Sequence, residues 1–333
     1  MQQLKTPKYK KITVSRIYRD ANSTILSPDD FEKFEVCFGD IEKYEISHPI
    51  GHGKYSIVFL GRCCETGEMC AIKVLKNMEF FRIQRELFFL SMVNNIPSIV
   101  SLKDVLKDPL TNAISIVTDF QDTELPKTLY PKLTLVEIRN LIYKLLKSLD
   151  ETAKKCIIHR DVKPGNIMIS SDHKNLQLID WGLAEIYCPK KAYPVRVSTL
   201  RYKAPELLLN YQYYDYGIDV WGAGCVLAEM LIRFPFFTGN NIGDMIAQIS
   251  SLWGLKIINQ YINKFSLELP QSAIHLLPNN QNDTWDTFTK MISPDKYDEK
   301  AIDLLRKLLT VDHEDRITAS EAINHCFFNS MQK

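Results

Sequence analysis

Net charge is almost absent from this chain. Lys and Arg number 41 against 40 Asp and Glu in 333 residues, so no bulk field draws nucleic acid, and direct nucleic-acid binding is not expected. Long apolar runs are absent as well. The most apolar window, Gly222 to Ile232, is short and contains Glu229, which excludes a spanning helix and leaves no expectation of membrane binding. Metal-finger spacing is missing among the eight cysteines at 37, 63, 64, 70, 156, 188, 225 and 326: no pair is Cys-x-x-Cys and no His cluster accompanies them. Scattered thiols without a signal peptide point to a reducing compartment and a soluble intracellular protein. What remains is ample apolar content, 45% of residues, enough for real cores in one large domain or two lobes.

One stretch organises the rest: His159-Arg160-Asp161-Val162-Lys163-Pro164-Gly165-Asn166. Ile167-Met168-Ile169 and Leu176-Gln177-Leu178-Ile179 follow as two short strands joined by a polar turn. Antiparallel pairing brings Asn166 beside Asp180, although fourteen positions separate them. Two oxygen ligands at one hairpin end suit Mg²⁺, which completes its shell with substrate phosphates. Asp161 is then free to accept a proton from an attacking hydroxyl. The chemistry indicated is phosphoryl transfer, and the motif set is that of protein kinases.

Upstream, residues 1–38 read as an ordered arm with Ile17, Tyr18, Phe31, Phe34 and Val36 available for docking. Its basic run (Lys5, Lys8, Lys10, Lys11, Arg16, Arg19) faces only Asp20 and is expected to be a solvated tail. Gly51-His52-Gly53-Lys54-Tyr55-Ser56 is a glycine-rich loop that lets backbone N–H groups lie close to phosphates. Met69 to Leu75 alternates as a strand, so Ala71 and Lys73 share the face beneath that loop. Phe80 to Leu90 reads as a helix whose Glu86 is placed to hold Lys73. Ile114 to Thr118 is a further strand, and the polar run Asp119 to Glu124 after it marks a boundary between lobes. The Thr134–Glu137 capping box starts a long helix that delivers the chain to His159. Gly217 to Leu231 is apolar nearly all round, so Asp219 is expected to be a buried carboxylate fed by backbone N–H groups of the catalytic loop.

With these pieces placed, residues 40 to 328 resemble a eukaryotic protein kinase, and more closely the casein kinase II catalytic (alpha) subunit family. The closer likeness rests on the 51–56 loop, Asp180-Trp181-Gly182-Leu183-Ala184-Glu185 and Tyr211-Gln212-Tyr213-Tyr214-Asp215-Tyr216. The resemblance implies a bilobal α+β fold: an arm at 1–38, a β-rich N-lobe at 39–120, a hinge at 121–124 and a helical C-lobe at 125–333. It implies transfer of the γ-phosphate of ATP, with GTP as an alternative donor, to Ser/Thr in acidic contexts by a constitutively active enzyme. Asp161 would be the base and Lys163 would steady the transferring group, with Asn166 and Asp180 holding Mg²⁺. Lys73 and Glu86 would form an ion pair at the phosphates. Ile50, Gly51, Gly53, Val58, Ala71, Thr118, Met168 and Ile179 would surround the nucleotide, with backbone hydrogen bonds from Asp119 and Gln121. Arg196, Lys203, Arg82 and Arg85 would meet substrate acids, and Glu206 with Arg316 would brace the larger lobe. A casein kinase II beta subunit is an expected partner on the N-lobe, through Ile46, Phe59 and Ile72; Ile72 under the helix is the other reading. Cytoplasmic and nuclear localisation is expected.

The departures are specific. Glu79-Phe80-Phe81-Arg82 stands where the family carries a lysine run, Leu200 replaces an arginine, Thr118 replaces a phenylalanine, and Ala204-Pro205-Glu206 has alanine for the family's glycine. Ser198-Thr199-Leu200 leans toward a cyclin-dependent or mitogen-activated type of kinase. A pseudokinase is disfavoured, because Lys73, Glu86, Asp161, Lys163, Asn166 and Asp180 are all present.

Overall fold

The alternating residues after Tyr44 build a five-stranded antiparallel sheet: β1 (Tyr44–His52), β2 (Ser56–Cys63), β3 (Met69–Leu75), β4 (Leu102–Lys107) and β5 (Ile114–Asp119), in the order β1-β2-β3-β5-β4. The structure is a computed structural model describing residues 11–19, 30–53, 55–76, 78–279 and 282–331. Register pairs Val58 with Lys73 and Ala71 with Thr118, so these four side chains share one face of the sheet. Helix α1 (Phe80–Val93) packs into the main core through Ile83, Leu87, Phe89 and Leu90.

The opposite face closes on itself. Cys70, Ile72, Leu106 and Val117 form a separate small core with Tyr44 against it, and the Tyr44 hydroxyl crosses to donate to Asp104 (3.2 Å). Gly61 permits this closure, because a Cβ there would lie 2.3 Å from Ile72 Cδ1. Ile72, 1% exposed, therefore belongs neither to an exposed docking patch nor to the layer under α1. This corrects both expectations for that residue. The strand's alternation gave the correct face, but Leu106, Val117 and Tyr44 cover it.

The second half of the chain is helical: α2 (Pro126–Leu129), α3 (Leu135–Lys154), α4 (Pro205–Leu208), α5 (Gly217–Ile232), α6 (Ile242–Trp253), α7 (Leu255–Phe265), α8 (Gln271–Ile274), α9 (Trp285–Thr289), α10 (Glu299–Leu308) and α11 (Ala319–Ala322). Capping boxes start α3 (Thr134–Glu137) and α11 (Thr318–Glu321). Helix α5 is buried from Ile218 to Ile232, as expected of a helix apolar on every side. Between α3 and α4 lie four short strands: β6 (Ile157–Ile158) pairs with β9 (Glu185–Ile186), and β7 (Ile167–Ile169) pairs antiparallel with β8 (Leu176–Leu178). The chain is thus a β-rich lobe on a helical lobe. No helix among the described residues is long and apolar enough to cross a membrane.

The arm runs across both lobes. Thr13 bonds the Tyr211 hydroxyl and the Tyr213 carbonyl, Ser15 N–H donates to the Tyr187 hydroxyl, and the Tyr18 hydroxyl donates to Asp150 (2.9 Å). Lys11 pairs with Glu314 and Arg16 with Glu321, so the described end of the basic run stays exposed but is tied to the helical lobe by ion pairs. Lys5, Lys8, Lys10 and Asp20 lie outside the described residues. Farther on, Phe34 meets Phe88 of α1 edge to face, and the Gln84 side-chain amide donates to the Phe34 carbonyl (2.7 Å).

Candidate active site

The β7–β8 hairpin does the first part of the assembly. Ile179 N–H donates to the Asn166 carbonyl (2.9 Å), which places Asp180 one residue from the pairing end. Asp180 itself is left-handed (φ 66, ψ 74), a conformation a non-glycine residue keeps only where its surroundings enforce it. Its half-exposed carboxylate lies 3.9 Å from Lys73 Nζ, and Lys73 is paired with Glu86 on α1 at 2.5 Å. Burial alone would lower the Lys73 ammonium; Glu86 and Asp180 outweigh it and hold the group above its ordinary value. Gly182 fits beneath this pair, with its missing Cβ 3.5 Å from Glu86.

The catalytic loop is held from below. His159 N–H and Arg160 N–H donate to the two Asp219 oxygens at 2.7 and 2.8 Å. These are the backbone donors expected for a carboxylate inside an apolar helix. Burial pushes the Asp219 carboxyl up to about 7, opposed by those two bonds and by Arg160. The His159 ring, kept neutral by burial, stands edge-on to Trp181 and bonds the Ile179 carbonyl (3.1 Å), tying the loop to the strand before Asp180.

Asp161 carries a dense set of contacts. Lys163 Nζ donates to its Oδ2 at 2.6 Å, and the N–H and Oγ1 of Thr199 donate to its Oδ1 at 2.8 and 2.9 Å. Asn166 Nδ2 donates to the Asp161 carbonyl and Oδ2, which leaves the amide oxygen of Asn166 for a ligand. Burial would raise the Asp161 carboxyl, but Lys163 and Thr199 bring it below the ordinary aspartate value. It stays a carboxylate at neutral pH, suited to orienting a hydroxyl and receiving its proton late. Asn166 and Asp180 fit Mg²⁺, an amide oxygen and an exposed carboxylate at one hairpin end. When bound, that ion would neutralise charge on the transferring phosphates. Lys163, bonded to both Asp161 and Thr199 Oγ1, stands ready to meet the same charge.

The nucleotide-site expectations fall on the sheet face described above. Val58, Ala71, Lys73 and Thr118 line that face from β2, β3 and β5, and Met168 and Ile179 come half-buried from the hairpin. Ile50 and Gly51 lie on β1, and Gly53 N–H closes the loop onto the Ser56 carbonyl. Asp119 and Gln121 follow at the end of β5, where the Asp119 carboxylate pairs with Lys103. Lys54 lies outside the described residues.

The four substrate-facing cations separate. Arg196 is exposed, and Arg82, also exposed, pairs with Glu79 three residues before it. Arg85 turns inward: it donates to the Ala184 carbonyl, pairs with Glu185 at 3.1 Å, and sits over the Phe31 and Phe89 rings. Lys203 donates to the Val195 and Val197 carbonyls. These two cations, expected to face the substrate, make their contacts inside the protein, Arg85 with a carboxylate and a carbonyl and the half-buried Lys203 with two carbonyls.

Two residues were not anticipated as part of the site. Thr199 is the first, and its only sequence signal is a hydroxyl residue five positions before Ala204-Pro205-Glu206. Glu185 is the second. It is 7% exposed and lies near three cations: Arg85 (3.1 Å), Arg160 (3.5 Å) and Lys191 (3.8 Å). Arg160 also donates to the Leu183 carbonyl (2.6 Å) and reaches the Tyr214 hydroxyl.

A protein kinase domain model matches residues 44–328. A probable serine/threonine-protein kinase of Dictyostelium discoideum is 39% identical over 322 residues, covering 96% of this chain and 53% of that protein. The chain therefore spans about half the length of this curated relative. With that match laid over a hairpin that joins Asn166 to Asp180 beside the Asp161–Lys163–Thr199 cluster, the chain belongs to the protein kinase family.

Proposed function

We propose that the chain is a serine/threonine kinase of the casein kinase II type, using Mg²⁺-ATP and active as synthesised. The observation that carries the phosphotransfer reading is the Asp161 carboxylate, held by Lys163 and Thr199 next to two Mg²⁺-competent oxygens. The relative's name supports the choice of hydroxyl acceptor. Preference for acidic substrates, with the casein kinase II resemblance behind it, rests on the exposed Arg196 and more weakly on Arg82.

Constitutive activity is supported by the surroundings of Arg160. In many kinases an arginine at this position pairs with a phosphate on the activation segment. Here the carboxylate of Glu185 already stands beside it and also binds Arg85 of α1. The position corresponding to the usual phosphothreonine is Pro194, whose carbonyl accepts from Tyr214 (2.8 Å). The arm adds Phe31 against Arg85 and Ser15 against Tyr187. Protein made in bacteria and stripped with phosphatase should phosphorylate an acidic peptide with Mg²⁺-ATP at its untreated rate. Absence of any transfer would reject the kinase reading, and a large loss on phosphatase treatment would reject constitutive activity alone.

A beta-type regulatory subunit on the outer N-lobe remains part of the proposal, carried by resemblance. Ile46, 53% exposed, and the half-buried Phe59 are its remaining contacts now that Ile72 is covered. Sedimentation with a casein kinase II beta subunit should show a complex at micromolar concentration. Separate sedimentation of the two proteins would remove this partner.

A further inference from the structure

Outside the phosphotransfer site, a thiol, an imidazole and a carboxylate stand in a row on the helical lobe. Cys326 is exposed and opens the turn Cys326–Met331, and its Sγ lies 3.9 Å from His325 Nδ1. On the other side of the ring, His325 Nε2 lies 2.8 Å from Oδ2 of Asp303, carried by α10. His325 is only 8% exposed, so the ring is held in this orientation. One backbone group fixes the proton positions. Phe327 N–H can only donate, and it meets Nδ1 at 3.3 Å, so that nitrogen carries the lone pair. The ring proton is therefore on Nε2 and is donated to Asp303. Lys307, one turn farther along α10, pairs with the same Asp303 oxygen at 2.7 Å. Burial would raise the Asp303 carboxyl; the bonds from Lys307 and His325 outweigh it and hold the group below its ordinary value. Anchoring of the turn accounts for the His325–Asp303 bond, since Phe327 and Phe328 behind it are buried against Arg139 and Tyr143 of α3. It does not account for a thiol facing the free nitrogen.

We propose that Cys326 is a thiol-exchange site that takes up a low-molecular-weight disulfide as a mixed disulfide, with His325 as its base. The order thiol, imidazole, carboxylate is that of an activated nucleophile. As the Cys326 sulfur bonds to one sulfur of the incoming disulfide, the S–S bond of that disulfide breaks. The thiol proton passes to His325 Nδ1, and from there to the departing thiolate. One thiol and one disulfide are consumed and one of each is formed, so no further oxidant is needed. Asp303, which touches only the ring, is a positioning residue: it holds Nδ1 toward the thiol and offsets the charge of the imidazolium. An exposed thiol suits a small reagent that needs no enclosing pocket. Of the exposed thiols among the described residues, at positions 37, 64 and 326, Cys326 alone bonds an imidazole.

The test is the rate of mixed-disulfide formation at each cysteine of the purified protein, read by mass spectrometry with 2-hydroxyethyl disulfide. This probe is uncharged, so surface charge does not bias one thiol over another. Cys326 should react at least about tenfold faster than Cys37 and Cys64, a share of what a general base contributes. His325→Gln should bring Cys326 down to the level of those two. Asp303→Asn keeps an acceptor for the ring on a half-exposed side chain, so the fold should persist while the Cys326 rate drops about three- to tenfold. Asp303→Glu should restore much of it, which loss of anchoring alone would not predict. In urea the three thiols of the unaltered protein should react alike. Native Cys326 no faster than Cys37 and Cys64 would overturn the inference. So would a rate indifferent to Asp303→Asn, or an excess that survives in urea and so belongs to the local sequence.

Discussion

Asp161→Asn should lower kcat by about 10²- to 10⁴-fold while leaving Mg²⁺-nucleotide affinity nearly unchanged. The asparagine keeps an oxygen to accept from Thr199, so the Ser198–Thr199 turn survives, but it cannot take a proton from an acceptor hydroxyl. It also loses the ion pair with Lys163 and the bond from Asn166 Nδ2 to Oδ2, while the bond from Asn166 Nδ2 to the Asp161 carbonyl remains to hold the Asn166 amide in place. Asp180→Asn acts at the other end of the site. Its carboxylate is half exposed, 3.9 Å from Lys73, and assigned to the metal, so the substitution removes one negative charge from the Mg²⁺ shell. Nucleotide affinity should then fall in the presence of Mg²⁺ and change little in its absence. Isothermal titration of both variants with an ATP analogue, with and without Mg²⁺, separates the roles. Equal affinities in the two variants would show that base and metal ligand have been assigned wrongly.

The parts of this site that the sequence made legible are those set by short-range geometry. Asn166 meets Asp180 because two three-residue strands of alternating pattern can pair only with those ends together. Asp219 was legible because a carboxylate inside an all-apolar helix has to find donors, and the nearest backbone is the catalytic loop. Periodicity also placed Ala71 and Lys73 on one face. It could not place Lys203 or Arg85, because a long flexible cation can reach either solvent or a carbonyl. The choice depends on how the segments from Val195 to Val197 and at Ala184 happen to lie. Glu185 was hidden for the same reason: its partners, Arg85 of α1 and Arg160 of the catalytic loop, lie far from each other in the sequence. The apolar content of the arm announced docking. Its path, from Tyr211 and Tyr213 to Phe88, lies in contacts across up to two hundred positions, which no local pattern encodes.

Arg316→Met should cost about 3–5 kcal/mol of stability, because it removes one partner of a fully buried ion pair and leaves the other charge behind. Arg316 binds Glu206 through both oxygens, at 2.7 and 2.9 Å, and spends its other donors on the carbonyls of Gly217, Thr310 and Val311. Its side chain is 0% exposed and that of Glu206 1%. Burial alone would raise the Glu206 carboxyl; the guanidinium outweighs it and brings the group below its ordinary value. A depressed carboxylate contributes stability that is complete above the unfolded value, 4.5, and is lost as pH falls through the lower folded one. Without Arg316 the sign reverses. Burial then acts unopposed, the folded protein binds a proton that the unfolded chain does not, and stability falls as pH rises from about 5 to 8. Adding Glu206→Gln to Arg316→Met should remove that slope and recover part of the loss, since no charge is then left buried. The consequence reaches the active site, because Gly217 opens α5 and Asp219, two residues on, holds the catalytic loop. Urea midpoints of the three proteins at pH 5 and pH 8 provide the measurement. A single variant that loses under about 1 kcal/mol, or that keeps the pH slope of the unaltered protein, would mean that the helical lobe does not depend on this pair.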